Sequence, residues 1–375
     1  VTKKIDRAGR LYADMLTACQ RRQHQDTLAV VLSCFLAALG LTRFDHVGCK
    51  SPGAISRFLN HQQWNTRLLI RAMRNHALRA FQASLRGRRG RPPVIEIIVD
   101  TTSIAKEGEF ADLEGWIHTL NRVRGLHLVV LYVCCGELRL PWSFRIWRGK
   151  GQPSPNDLAL KLVQQLPKEV RNRTRQLHFL ADSGFSSVAL LKGLTQLGMP
   201  FSVGMRKNRQ TVEGQALHEI TSQQRRVHLK GLPDLDLWVY WIWLPASKQN
   251  GQREQRFVIT NRPRVPQVVR QFGRRRWKIE GLFKTLKSRF ALGKFGQKTK
   301  QGVLRFLCLS FAAFLLCHLE FLDERASGAE QLAPDWGKLA QQVKHRLLGW
   351  VRLVEIEVER QQILAVLDEK RRDAA

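Results

Sequence analysis

Three acidic residues stand where their neighbours make an acid costly. Asp100 closes the β-branched run VIEIIVD and is followed by Thr101 and Thr102, while Asp182 closes QLHFLAD ahead of Ser183, Gly184 and Phe185. Glu280, within RRRWKIEGLFKTLK, is the only acid among 13 Lys and Arg between Phe257 and Lys300. Carboxylates brought together are hard oxygen ligands for divalent cations, and two such ions support in-line displacement at phosphorus. Each residue also has a plainer reading. An Asp at a strand end often caps the next turn, and Glu280 has Lys284 and Lys287 nearby on the same helical pattern as salt-bridge partners.

The elements that must position these acids follow from periodicity. VIEIIVD (Val94–Asp100), LHLVVLYVCC (Leu126–Cys135) and ELRLPWSFRIW (Glu137–Trp147) read as strands, the last two separated only by Gly136 and therefore antiparallel. A helix is expected at about 157–166, a strand at Gln176–Asp182, a helix at about 186–197 and a short strand at Pro200–Gly204. Residues 205–255 read as a β-rich insertion with strands at RRVHLKG and LDLWVYWIWL, after which RFVITN returns to strand and the rest is helical. The pattern is that of an α/β protein: a mixed sheet flanked by helices, with Asp100 and Asp182 at the edge where such sheets place ligands.

Charge divides the chain further. The 375 residues carry 62 Lys plus Arg against 31 Asp plus Glu, a net +31, and 44% are hydrophobic. That apolar content excludes a wholly disordered chain, and the charge calls for a polyanionic partner, nucleic acid first. Residues 1–93 hold 17 basic residues against four acids and read as a basic helical domain ending in the linker RGRRGRPP (Arg86–Pro93). Within it, Ser51 and Pro52 start a short helix that buries Ile55, Phe58 and Leu59 and turns Ser56, Arg57 and Asn60 outward. It reads either as a groove-entering helix or as an ordinary bundle helix. From Glu320 onward 11 acids face nine bases, so the helical tail, taken as 322–375, is not expected on DNA. The apolar runs Thr27–Thr42 and Phe306–Cys317 fall short of the 18 uncharged residues a membrane crossing needs, and are expected as core helices. With no signal-peptide pattern opening the sequence, a cytoplasmic location and no membrane partner are expected. Seven scattered cysteines suggest neither disulfides nor zinc.

The order strand–Asp, strand–Asp-Ser-Gly-Phe, helix–Glu, with separations of 82 and 98 residues, resembles the DDE transposases of bacterial insertion sequences. It is most similar to the subgroup with a β-rich insertion before the Glu. That subgroup's signature is Tyr, two residues, Arg, three residues, Glu, six residues, Lys. Arg276, Glu280 and Lys287 match it, and Gly273 stands at the Tyr position, with Phe272 beside it and Trp277 after the Arg. The resemblance implies an RNase H-like core over about 94–321, with Asp100, Asp182 and Glu280 as catalytic ligands of two Mg2+ (or Mn2+) ions. It also implies end cleavage and strand transfer on double-stranded DNA, both terminal inverted repeats and target. A homodimer would then hold two DNA ends, with the tail as a candidate contact between copies and the protein on the nucleoid when DNA-bound. A metal nuclease of the same fold and a DNA-binding relative without turnover are the competing readings.

Other residues are candidates for DNA contact. Arg276 and Lys287 share the Glu280 side of a helix and suit end phosphates. Arg274, Arg275, Lys278 and Lys284 suit the general electrostatic surface, and Arg206, Lys207 and Arg209 suit a basic loop. Trp241 and Trp243 share one strand face, either as a stacking platform for an unpaired base or as packing of a β layer. His118, His127 and His178 lack ligand spacing and read as structural.

Overall fold

Helical periodicity gives way to strand periodicity between Leu85 and Ile95 in the computed structural model, which describes residues 6–37, 49–86, 90, 92–107, 111–244, 253–328 and 333–373. Four helices come first: α1 (Arg7–Leu16), α2 (Arg22–Leu36), α3 (Pro52–Asn60) and α4 (Thr66–Leu85). Then come β1 (Ile95–Ala105), β2 (His118–Leu120), β3 (Val123–Cys135), β4 (Leu138–Trp147), α5 (Pro155–Gln164), α6 (Lys168–Arg171), β5 (Leu177–Ala181), α7 (Val188–Gln196) and β6 (Phe201–Met205). Strands β7 (Arg225–Leu229), β8 (Leu232–Leu244) and β9 (Glu254–Thr260) precede α8 (Pro266–Arg276), α9 (Lys278–Arg289), α10 (Lys300–Ala326), α11 (Trp336–Leu347) and α12 (Gly349–Asp373). Positions 38–42 of the first apolar run, 87–89 and 91 of the basic linker, and 245–252 of the insertion lie outside the described residues.

Local chemistry sets several of these boundaries. Ser51 Oγ accepts from the Ala54 N–H at 3.2 Å and Pro52 opens α3, whose Ile55, Phe58 and Leu59 are buried as expected. Ser154 and Asp157 form a reciprocal capping box that starts α5.

The chain divides into two compact units: Val1–Gln82 with Glu109–Glu114 and Phe283–Ala375, and Ala83–Gly108 with Gly115–Leu282. The second holds one nine-stranded sheet in the order β2-β3-β1-β5-β6-β9-β8-β7, with β4 also paired to β3. β1, β5 and β6 are mutually parallel neighbours, and every other pairing is antiparallel. This is the expected mixed sheet flanked by helices. The insertion strands β7 and β8 form no separate layer, because β8 pairs with β9 and extends the central sheet. Register partners share a face, so Glu96, Ile98 and Asp100 lie on the same side as His178, Leu180, Ser202, Thr260, Tyr240 and Ile242.

The first unit is built around α10. Its apolar character runs all round the helix, and α1, α2, α3 and α11 pack against it. The helix covers the expected 303–322 and extends to Lys300–Ala326, long and apolar enough to cross a membrane although the run Phe306–Cys317 alone is not; its most apolar stretch is 94% buried, as expected of a core helix. The length comes from ends that mix charge into the helix, Lys300 and Arg305 at one and Glu320 and Asp323 at the other. Arg305 is fully buried and donates to the carbonyls of Phe58, Leu59 and Gln62 at 3.0 Å and of Trp64 at 3.1 Å. It also lies over the Trp64 ring at 4.2 Å. The side chain thereby satisfies the carbonyls at the C-terminal end of α3 and in the turn beyond it. Asn60, expected outward on α3, instead accepts from Thr299 Oγ1 at 2.9 Å, at the start of α10.

Arg305→Met leaves these carbonyls without donors and is expected to cost about 3 kcal/mol or more. Thermal unfolding followed by circular dichroism should show a melting temperature lower by roughly 6 °C or more. Arg305→Lys should rescue little, since one ammonium cannot reach all of these acceptors.

Candidate active site

Strand β1 does not stop at Asp100. Thr101–Ala105 remain paired with β3, from Thr101 with Val129 to Ala105 with Gly125. What ends nearby is the parallel neighbour, since β5 pairs Ile95–Ile98 with Leu177–Leu180. The offset of that register is 82 residues, which is also the separation of Asp100 and Asp182. Two further steps at the same offset bring the aspartates abreast on neighbouring strands, whose spacing is about 4.8 Å.

Asp182 follows the last residue of β5 and caps the short turn Ser183–Phe185, its Oδ1 accepting from the Gly184 N–H at 2.9 Å. The capping role therefore exists, and the same residue still stands beside Asp100. Gly204 on β6 passes close behind this turn. A Cβ at Gly204 would meet the Ser183 nitrogen at 2.8 Å, so a side chain there would force the aspartate loop to move.

Glu280 lies in the first turn of α9, directly beyond the one-residue break at Trp277 that separates it from α8. Arg276, the last residue of α8, joins the site together: Nη1 donates to Asp100 Oδ2 at 3.2 Å and Nη2 to Glu280 Oε1 at 3.0 Å. Burial raises the Asp100 carboxyl to about 6, and the charge of Asp182 adds to the rise. The Thr101 N–H and Arg276 pull it back, while Glu280 pushes it up again. Asp182 and Glu280 are thus both close enough for their charge to act on Asp100. Among the described residues no three acidic, histidine or cysteine side chains close on a single point.

Helix α8 is seated on the Asp100 face by a series of contacts. At its entry, Tyr240 Oη donates to the Arg264 carbonyl at 2.7 Å and accepts from the Arg264 N–H at 2.8 Å. At mid-helix, Phe272 stacks on His178 with centroids 3.8 Å apart. His178 is held neutral, lowered to about 3 by burial and then by Arg264, Arg262 and Arg275. Gly273 packs against β8: a Cβ there would sit 3.1 Å from Ile242 Cδ1, so the larger aromatic of the related signature has no room unless Ile242 moves. At the exit, Arg275 Nη1 meets Glu96 Oε1 at 3.3 Å and Lys278 Nζ bonds Glu96 Oε2. Arg275 and Lys278, expected on the open electrostatic surface, are bound to a buried acid instead. Glu96 was passed over in the sequence although VIEIIVD places an acid inside an apolar strand, which by itself demands a partner.

The remaining candidates are more dispersed. Lys284 and Lys287 are exposed further along α9, where the chain enters the helical unit, and Arg57 is exposed on α3. Arg206 and Lys207 are exposed directly after β6. Trp241 leans on Phe257 at 6.0 Å and Trp243 is 56% exposed. Both share a face with Val239 and Ile259, the side of the sheet opposite Asp100. Trp277 is 52% exposed, with the Arg276 guanidinium 5.4 Å from its ring.

The transposase DDE domain family matches residues 94–316, more than half of the chain. The chain belongs to this family. For a DDE transposase, DNA transposition is the family's function, and cleavage and transfer of DNA strands is the activity this implies. The cryo-EM structure of a piggyBac transposase synaptic complex with hairpin DNA is similar in fold, with a TM-score of 0.57 at 12% identity over 96% of this chain and 80% of that one. It identifies the sheet and its helices as RNase H-like. No curated protein sequence matches the chain. DDE transposases generally use divalent metal ions. The donor set here fits one: the ligands on offer are carboxylates, burial and neighbouring acids raise the Asp100 carboxyl, and a cation, Arg276, bonds both Asp100 and Glu280.

The raised Asp100 carboxyl has a stability consequence. Because its folded value lies above the unfolded one, the folded state disfavours the charge, and the penalty is present above about pH 6 and gone below about pH 4. Asp100→Asn should therefore raise the melting temperature at pH 7.5 in chelated buffer, by up to about 3 kcal/mol of stability, and the difference should vanish near pH 4. Paired melts of the two proteins across that range would check it, and an unchanged difference at low pH would count against the assignment.

Proposed function

We propose that Asp100, Asp182 and Glu280 form the three-carboxylate site of this transposase, holding two Mg2+ ions, or Mn2+ in their place. When bound, such ions activate water for cutting a transposon end and then the freed 3′-OH for attack on target DNA. The observation that carries this reading is the electrostatic coupling of the three acids around Arg276 on one face of the sheet.

The chain's own residues supply positioning and charge. β1 and β5 pair up to two residues ahead of the aspartates, in the register that brings Asp100 and Asp182 abreast. Arg276 carries two guanidinium nitrogens at the carboxylates and suits a terminal phosphate bidentately. Arg57, Lys284 and Lys287 on the helical unit, and Arg206 and Lys207 on the sheet unit, add basic charge for end and target duplexes. In this reading residues 1–93 bind DNA, 94–321 perform the chemistry, and 322–375 join two copies. Supporting the last role, α12 exposes Leu353, Ile356, Ile363, Leu364, Val366 and Leu367. Placement on the opposite face removes the support for Trp241 and Trp243 as a platform at the carboxylates, and a role for them in DNA contact is confined to that other face.

The test is cleavage and joining of a DNA carrying the element's own ends, with Mg2+ or Mn2+, comparing the wild-type protein with Glu280→Gln. Wild type is expected to give strand-transfer product, and the variant to bind end DNA while losing both steps by about a thousandfold. Cleavage without joining would mark a nuclease, and full activity of the variant would remove Glu280 from the site.

A further inference from the structure

We propose that Glu96 is a positioning residue, an acid that performs no chemistry itself but sets Arg276 and Glu280 over the two aspartates. The inference rests on the three-carboxylate reading and adds to it a fourth acid.

Glu96 is 3% exposed on a strand in the middle of the sheet. A carboxylate in such a place is costly unless it is paired and hydrogen-bonded. Its two oxygens are taken by two cations from the α8–α9 junction, Oε1 by Arg275 and Oε2 by Lys278. These residues flank Arg276 and Trp277 in the sequence. Fixing both sides of the break fixes the rotation of the backbone at Arg276, and Glu280 follows Lys278 by two residues. On the strand, Glu96 precedes Asp100 by four residues on the same face, about 13 Å along β1. One strand thus carries the anchor and the reactive group at a fixed interval, and one helical junction carries the cations that read the anchor and the groups that must meet the aspartates.

A purely stabilising ion pair would give none of this geometry. The partners are well suited to positioning, because Arg275 and Lys278 remain 38% and 26% exposed while Glu96 does not, so a buried fixed point holds two adjustable arms. Two oxygens bound by separate donors also fix direction better than a single contact.

The experiment is localised hydroxyl-radical cleavage of the full-length protein, with Fe2+ replacing Mg2+ in ascorbate and peroxide, mapped by mass spectrometry. It is read alongside single-turnover end cleavage and end-DNA affinity for Glu96→Gln. Wild type is expected to be cut near Asp100, Asp182 and Glu280. Glu96→Gln should keep the cuts near the aspartates, lose most of that near Glu280, and cleave DNA about a hundredfold more slowly with end affinity within about threefold of wild type. Glu96→Asp should recover part of the rate. If Glu96→Gln does not fold, Arg275→Gln/Lys278→Met removes the same clamp from its partly exposed side and should give the same pattern. A full cut near Glu280 with a wild-type rate in whichever variant folds overturns the proposal. No cut near any of the three acids in the wild type instead removes the carboxylate site, and the proposal with it.

Discussion

Repulsion among carboxylates of like charge governs this unit of the protein. Asp100 is buried and within reach of the charges on Asp182 and Glu280, and among the described residues only the Arg276 guanidinium and the Thr101 N–H offset that cost locally. It persists because each acid is held by something stronger than its own preference. Asp100 is fixed by its pairing to β3, Asp182 by the end of β5 and its turn, and Glu280 by the start of α9, which the Arg275 and Lys278 ion pairs tie to Glu96 on the sheet. The cost is met by remote packing.

Helix α8, directly ahead of that start, is held by chemistry of three kinds along its length. A neutral aromatic pair, Phe272 on His178, occupies the middle. A phenol hydroxyl tethers the entry at Arg264, and a charged clamp closes the exit at Glu96. The neutral stack needs an uncharged imidazole, and burial, helped by the three arginines around His178, ensures it. Basic residues first read as a DNA surface thus have a second task, discharging or pairing groups beneath α8.

Much of the fold was legible in the sequence, for identifiable reasons. Strand runs bounded by Gly136 and by the aspartates gave the sheet, and Ser51 with Pro52 gave the start of α3. Glu280 stood out because an isolated acid in a basic run is locally visible. Glu96 was equally out of place in VIEIIVD, but its partners are 179 and 182 residues away, and no local pattern links them. The tryptophans show the same limit from another side. Alternation placed Trp241 and Trp243 on one face of β8, yet which face of the sheet that is depends on four successive pairings from β1 through β5, β6 and β9.

The shared offset of 82 residues bears on which insertions and deletions this chain tolerates. Residues gained or lost between β4 and α5 would change the numerical spacing of the aspartates and leave their alignment intact, since the strands would pair as before. A single residue lost inside β5 would do the opposite. It would turn Asp182 to the far side of the sheet while the count changed by only one. Natural variation in length among related chains should therefore gather in the connections, and the two short strand segments ahead of the aspartates should keep a constant length.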